Sequence, residues 1–315
     1  MSKGFIFPGQ GAQQVGMGKQ LAENFVSAKR IFEEVDEALQ ESLSSLIWNG
    51  DIEKLTLTEN AQPALMATSI AALAALEEEG FLVNNLMFMA GHSLGEYSAL
   101  CAAKAISLAD TAKLLRTRGQ AMQNSVDPGV GSMAAILGLE IVLLRKVVEQ
   151  ASSDFSSDSK ICQIANDNDP NQVVISGNSD VVDMVIELAK ENGARRAIKL
   201  NVSAPFHCDL MKPAASVMYE ALTETSIVSP EVPVVMNFTA REEENPNVIK
   251  DNLVSQVTGL VRWRETILYM ISNGVSEFYE LGVGKALSGM VRRVSNDVTT
   301  NGISSKEDIK EFLGG

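Results

Sequence analysis

The stretch Leu86-Met87-Phe88-Met89-Ala90-Gly91-His92-Ser93-Leu94-Gly95-Glu96-Tyr97 decides the fold. Its apolar first part, Leu86 to Ala90, reads as a buried strand. Its centre, Gly91-His92-Ser93-Leu94-Gly95, has the form G-x-S-x-G, and a helical segment over 96–105 follows. Strand, sharp turn and helix in that order are the setting of a nucleophile elbow, where a serine hydroxyl stands out at the end of an α/β sheet. The glycines remove Cβ atoms where the chain must turn tightly. The start of the helix aims N–H groups at the hydroxyl oxygen, where negative charge would develop. Glycine and serine are common, so the three fixed positions alone are weak evidence. A plain strand-to-helix turn with a capping serine is the bland alternative.

Working outward, residues 4–7 read as a short apolar strand closed by Pro8-Gly9-Gln10-Gly11. The uncharged run 60–76 contains Pro63 and ends in Glu77-Glu78-Glu79. It is short for a membrane span and reads as a buried core helix. Ser107, with Asp110 three residues on, reads as the N-cap of a helix to about Asn124. Asp127-Pro128-Gly129-Val130-Gly131 then breaks the pattern and marks a domain boundary. A distinct rhythm follows: strand 132–139, helix 141–151, strands 160–165 and 172–176, helix 180–192 and strand 195–202. That order, β-α-β-β-α-β, is ferredoxin-like. The run Asn166-Asp167-Asn168-Asp169-Pro170-Asn171 is expected to be an ordinary turn between the two middle strands. It lacks the glycine and glutamate of a calcium loop. The expected fold is α/β: a large domain of residues 1–128 and 203–315, with residues 129–202 inserted as a small subdomain.

Composition narrows the function classes. The 315 residues are 45% apolar, enough for a sizeable core. A net charge of −14 disfavours nucleic acid and anionic membrane surfaces as partners. No apolar leader precedes Pro8, and Cys101, Cys162 and Cys208 have no paired spacing. Both point to a cytoplasmic protein with reduced thiols and no metal site.

A serine nucleophile needs a base. The chain has two histidines. His92 precedes Ser93 on the tight turn and should point away from its hydroxyl, which leaves His207. Beside it, Cys208 should face the opposite way, and Asp209 is close enough in sequence to orient the ring. Arg118 shares a helix face with Thr111, Leu114, Leu115 and Met122, whereas Arg116 points elsewhere. A guanidinium on an apolar face is either a snorkelling or ion-paired residue or a clamp for a carboxylate or phosphate. Gln10 lies in flexible backbone just past the first strand, where its N–H and that of Leu94 would form a two-donor oxyanion hole. Arg195-Arg196 with Lys199, and Arg292-Arg293 with Lys285, are the basic clusters able to receive an acidic partner.

Taken together these stretches resemble the malonyl-CoA:acyl carrier protein transacylases, the acyltransferase family of bacterial fatty acid synthesis. The likeness runs through Phe7-Pro8-Gly9-Gln10-Gly11-Ala12-Gln13, Gln62-Pro63-Ala64-Leu65, Gly91 to Tyr97, Arg118-Gly119, Gln172 to Gly177, Pro205-Phe206-His207 and Val261-Arg262-Trp263. The resemblance implies a hydrolase-like core with a parallel sheet and an inserted ferredoxin-like subdomain. It implies that Ser93 is the acylated nucleophile, His207 its base and Arg118 the binder of the malonyl carboxylate. It implies an oxyanion hole from the backbone N–H groups of Gln10 and Leu94, and a backbone carbonyl of Gln256 that steadies the histidine. Leu260 stands where the family often has proline, and Phe206 resembles the malonyl-selecting form. The implied reaction is ping-pong, from malonyl-CoA through acyl-Ser93 to the phosphopantetheine thiol of acyl carrier protein. The implied enzyme acts as a monomer, with no cofactor, because CoA thioester and phosphopantetheine are substrates. A serine esterase or thioesterase would leave Arg118 without a role, and a docking subunit without catalysis would not need Ser93 and His207.

Overall fold

The computed structural model describes residues 2–154 and 160–314. The piece of the expected inserted unit over 155–159 lies outside the described residues. Among the described residues ten strands run in chain order: β1 (Ser2–Phe7), β2 (Phe88–Gly91), β3 (Gly131–Leu137), β4 (Cys162–Asp169), β5 (Gln172–Asn178), β6 (Arg196–Lys199), β7 (Val234–Val235), β8 (Glu242–Glu243), β9 (Val275–Leu281) and β10 (Thr299–Ile303).

Six of them form one sheet in the order β10-β9-β1-β2-β7-β8. All neighbours are parallel except the β7–β8 pair. β1 and β2 are central; β2 is buried throughout and β1 from Gly4 to Phe7, as strands covered on both faces must be. The helix Thr58–Glu78 is buried around nearly its whole circumference. It carries no polar stripe because it lies inside the core and not on the surface. Ser107 caps the helix Leu108–Gln123, accepting from the N–H of Asp110. The chain folds as α/β, with a parallel sheet that ends in a sharp strand-to-helix turn.

The other sheet has the order β4-β5-β3-β6 with every neighbouring pair antiparallel. Its helices Ile141–Asp154 and Ser179–Glu191 bury Leu144, Val147, Val181 and Val185 against Ala134, Ile136, Val173 and Ile175. This is a ferredoxin-like β-α-β-β-α-β unit. Its other face presents Met133, Ala135, Ala165 and Val174 to the main core.

Three expectations need correction. The elbow helix is Leu94–Ala102, starting directly at the turn instead of at 96. β6 is confined to Arg196–Lys199. Most importantly, Asn166 to Asp169 are not a turn but the end of β4. The register shifts between Ile164 and Asn166 and again between Asp167 and Asp169, so bulges let polar residues stay in the strand. The acids also find partners that sequence spacing does not reveal. Asp167 Oδ2 accepts from Arg264 Nη2 at 2.8 Å, and Asp169 Oδ2 from Arg293 Nε at 2.8 Å. Both arginines lie on helices outside this sheet, Trp263–Ser272 and Ala286–Val294. β4 is an edge strand, and its free edge is closed by Val261, which accepts from the N–H of Asp167 and donates to Ala165 O, each at 2.9 Å.

Candidate active site

The site is built where β1 and β2 end. The N–H of His92 still donates to Phe7 O at 3.0 Å, and then the chain turns. Ser93 has φ 55° and ψ −110°, a conformation costly for a residue with a Cβ. The glycines serve close approach instead. A Cβ on Gly91 would strike the carbonyl of Gly95, and one on Gly95 would strike the carbonyl of Phe7. The strand, the turn and the helix are thus pressed together, and the serine takes the strain.

His207 is 3% exposed and also sits at positive φ, 57°. Ser93 Oγ lies 2.8 Å from its Nε2. Its Nδ1 lies 2.8 Å from the backbone carbonyl of Gln256. A carbonyl only accepts, so Nδ1 carries the proton and the Nε2 lone pair faces the serine hydroxyl. Burial, and then the charge of Arg118, pull the imidazole from its ordinary 6.5 to about 3. The ring is therefore neutral at physiological pH, in the form a general base requires. Asp209 does not orient it. That carboxylate pairs with Lys212 at 3.1 Å. Cys208 faces away, donating to Pro205 O at 3.1 Å.

Arg118 is 1% exposed. Nη1 donates to Gln62 Oε1 at 2.8 Å, and Nη2 donates to Gln256 Oε1 at 2.8 Å and to Ser93 Oγ at 3.2 Å. The guanidinium carbon lies 5.6 Å from the centre of the Tyr97 ring. Every hydrogen-bond acceptor here is neutral, so the charge is buried without a bonded carboxylate. Burial accordingly lowers its pKa. Glu96, fully buried, lies behind the elbow. Burial drives its carboxyl up to about 8 against the opposing pull of the Asn237 N–H and the Arg118 charge. Arg116, on the same helix, turns instead to Glu41 and Asn60.

These groups open on one cavity of about 330 Å³, lined among others by Gln10, His92, Ser93, Leu94, Arg118, Asn168, Phe206 and His207. All six residues expected at the site meet there or directly behind it. Leu94 opens its helix, so its N–H is one of those that helical bonding leaves free. Gln10 flanks the same cavity from the loop after β1. Gln256 does more than its expected backbone contact: its side-chain Nε2 also donates to Ser93 O at 2.9 Å. His92 turns away from the hydroxyl, with Nε2 2.8 Å from Asn168 Oδ1.

Sequence reasoning missed Gln62, Asn168 and Asn237 as site residues. Gln62 had a signal, a buried-type amide at the head of a long apolar helical run. Asn168 was hidden in a run that reads as a turn. Asn237 had none: a buried asparagine after a two-residue strand is silent in one dimension. Among the described residues no group of His, Cys, Asp and Glu could hold a metal ion.

Comparison with known proteins places this geometry. Residues 4–298 match the family described as acyl transferase domain. The chain is 48% identical over 311 residues to the malonyl CoA-acyl carrier protein transacylase of Bacillus subtilis (strain 168), covering 98% of this chain and 96% of that protein. The crystal structure of an acyl-carrier-protein-S-malonyltransferase from Bartonella henselae superposes with a TM-score of 0.96 at 48% identity, covering 100% of this chain and 99% of that one. A malonyl-transacylase solved in complex with a type II PKS acyl-carrier protein superposes with a TM-score of 0.95 at 34% identity, covering 100% of both chains. The chain belongs to the acyl transferase domain family.

Proposed function

We propose that this enzyme moves a malonyl group from malonyl-CoA to the phosphopantetheine thiol of acyl carrier protein, supplying fatty acid elongation from the cytoplasm. The observation that carries the reading is Arg118, a buried guanidinium with only neutral partners beside a serine–histidine pair. A dicarboxylate half-ester supplies both missing elements, an electrophilic thioester for Ser93 and an anion for Arg118.

In the acylation half, Ser93 Oγ attacks the thioester carbonyl while His207 Nε2 takes its proton. The carbonyl oxygen becomes an oxyanion facing the N–H groups of Leu94 and Gln10. The N–H of Ser93 itself is bonded to Asn237 Oδ1 at 2.8 Å, so it is not available as a donor. Collapse expels CoA thiolate, protonated by His207. In the second half the carrier thiol gives its proton to His207 and attacks the acyl-serine carbonyl; the bond to Ser93 Oγ breaks, and His207 returns the proton to that oxygen. Arg118 releases Ser93 Oγ in exchange for the malonyl carboxylate and fixes the acyl group for both steps. Phe206, 8% exposed on the cavity wall, restricts room at the malonyl α-carbon. No cofactor enters this scheme, since the CoA thioester and the phosphopantetheine thiol are substrates.

We also propose that residues 129–202 form one subdomain inserted into a core of 1–128 and 203–315. A separate apolar cluster confined to this segment supports that division. Intact-mass measurement after incubation with malonyl-CoA tests the function. The wild type should gain a malonyl adduct that peptide mapping places on Ser93 and that acyl carrier protein discharges. Ser93→Ala should gain none. An adduct that persists on Ser93→Ala, or rapid release of free malonate from the wild type without an adduct, would overturn the reading.

A further inference from the structure

The parallel pairing of β2 with β7 matches Met89 with Val234 and Ala90 with Val235. Carried two residues further, that register sets Asn237 opposite His92, beside the elbow. β7 has already ended, so the backbone can no longer pair with a chain that is turning away. The Asn237 side chain takes over. Its Oδ1 accepts from the N–H of Ser93 at 2.8 Å, and its Nδ2 donates to Gly91 O at 2.7 Å. Only one orientation of the amide satisfies both bonds, because one partner can only donate and the other can only accept. The two bonds fix the carbonyl of the last strand residue and the N–H of the strained serine itself.

Asn237 is in turn immobilised. It is fully buried. Its own N–H donates to Glu96 Oε2 at 2.6 Å, and its carbonyl accepts from the N–H of Arg262 at 3.1 Å. Glu96 is on the first turn of the elbow helix. The strand before the serine, the serine and the helix after it are thus tied to a single asparagine. None of these bonds involves the Ser93 hydroxyl, His207 or Arg118.

We propose that Asn237 is a positioning residue that holds the Ser93 elbow in its strained conformation, with the Glu96 side chain as its anchor. A Ser93 backbone at positive φ has a lower-energy alternative close by, and the two buried bonds exclude it. Loss of the clamp lets the hydroxyl drift from His207 Nε2 and the Leu94 N–H turn away from the developing oxyanion. A displacement of about 1 Å in such a constellation lowers a rate on the order of a hundredfold. The binding of malonyl-CoA does not pass through these bonds, so affinity is spared.

The inference rests on Ser93 being the acylated residue, and the experiment separates the two. Single-turnover acylation by malonyl-CoA is followed by quenched mass spectrometry on wild type, Ser93→Ala, Asn237→Ala and Asn237→Asp, with circular dichroism and thermal melts on each. A wild type without an adduct on Ser93 sinks the acyl-serine reading itself. Given that adduct, Asn237→Ala should acylate about a hundredfold more slowly at saturating malonyl-CoA, with the half-saturating concentration within about threefold of wild type. Asn237→Asp keeps an acceptor for the Ser93 N–H and loses the donor to Gly91, so it should be intermediate, slower by about tenfold. The pH dependence of the residual rate should keep its wild-type shape, because His207 keeps its Nδ1 bond to Gln256 O and its burial. A folded Asn237→Ala that acylates within about threefold of wild type overturns the proposal, as does a loss fully accounted for by the unfolded fraction. If the alanine variant does not fold, Asn237→Asp decides, and a rate within about twofold of wild type overturns the proposal.

Discussion

Arg118 and the pair Arg264 and Arg293 put the same side chain to opposite uses. At the end of β4 Asp167 and Asp169 are 1% and 0% exposed, and each has its own guanidinium. In the cavity Arg118 is just as buried, yet its partners are two amide oxygens and a hydroxyl. Desolvating a charge without a counter-ion is costly, and folds avoid it. Where the charge is matched, its task is attachment. Where it is left unmatched, the counter-ion is expected to arrive with the substrate.

The contrast is most exposed to test at Arg118 itself. Arg118→Ala removes a charge-assisted bidentate contact worth roughly 2–4 kcal/mol where water is excluded. That is about two to three orders of magnitude in kcat/KM for malonyl-CoA. Acetyl-CoA has no carboxylate to lose, so its transfer should fall much less or rise. Equal losses for the two thioesters would make Arg118 a structural residue and erase the contrast.

Arg293→Ala probes the opposite case. It strands the buried Asp169 carboxylate, and breaking a buried pair costs about 3–5 kcal/mol, less here because Arg293 is partly exposed. Urea denaturation should show a loss of about 2 kcal/mol, with the ratio of malonyl to acetyl transfer unchanged. A shifted ratio would mean that the arginines paired with β4 also take part in selection.

A third test concerns cations not consumed by either role. Of the two basic clusters, Lys199 is paired with Asp183 and Arg293 with Asp169. Lys285 caps the start, and Arg292 lies in the last turn, of the helix that carries Ala286, Leu287 and Met290 onto the cavity wall. Reversing both to Glu should raise KM for acyl carrier protein about fivefold at low salt and leave acylation by malonyl-CoA intact. Unchanged carrier kinetics and salt dependence would place docking elsewhere.

The smallest effect is a pH dependence at Glu96. Its carboxyl titrates at about 8 in the fold, against an ordinary 4.5. A carboxyl that holds its proton more tightly when folded stabilises below the unfolded pKa, and the contribution is lost as pH rises through the folded one. Glu96→Gln has no proton to lose. Its melting temperature should therefore rise relative to wild type by a few degrees between pH 5 and pH 8. A constant difference across that range would mean that Glu96 stays ionised.

The legible parts of the site were those with rare or patterned residues. Ser93 lay between glycines after an apolar strand, His207 was one of two histidines, and Arg118 stood on an apolar helix face. The β-α-β-β-α-β rhythm could be read because its strands and helices have different periods. Asn168 and Asn237 were illegible because their work is done across pairs 76 and 144 residues apart in sequence. Asp167 and Asp169 were misread for the same reason. A strand of alternating amide and acid has no apolar period, and its partners Arg264 and Arg293 are remote in sequence.

The backbone bonds of Val261 to β4 reach beyond catalysis. In the intact chain they occupy the rim of the four-stranded sheet. Cut free, the segment 129–202 would offer that rim, with the apolar face of Met133, Ala135 and Val174, to any other copy. An unpaired strand beside an uncovered apolar surface is a template for self-association. The small unit is therefore poorly suited to transplantation as an independent module, and chimaeras that exchange it should carry the segment around Val261 along with it.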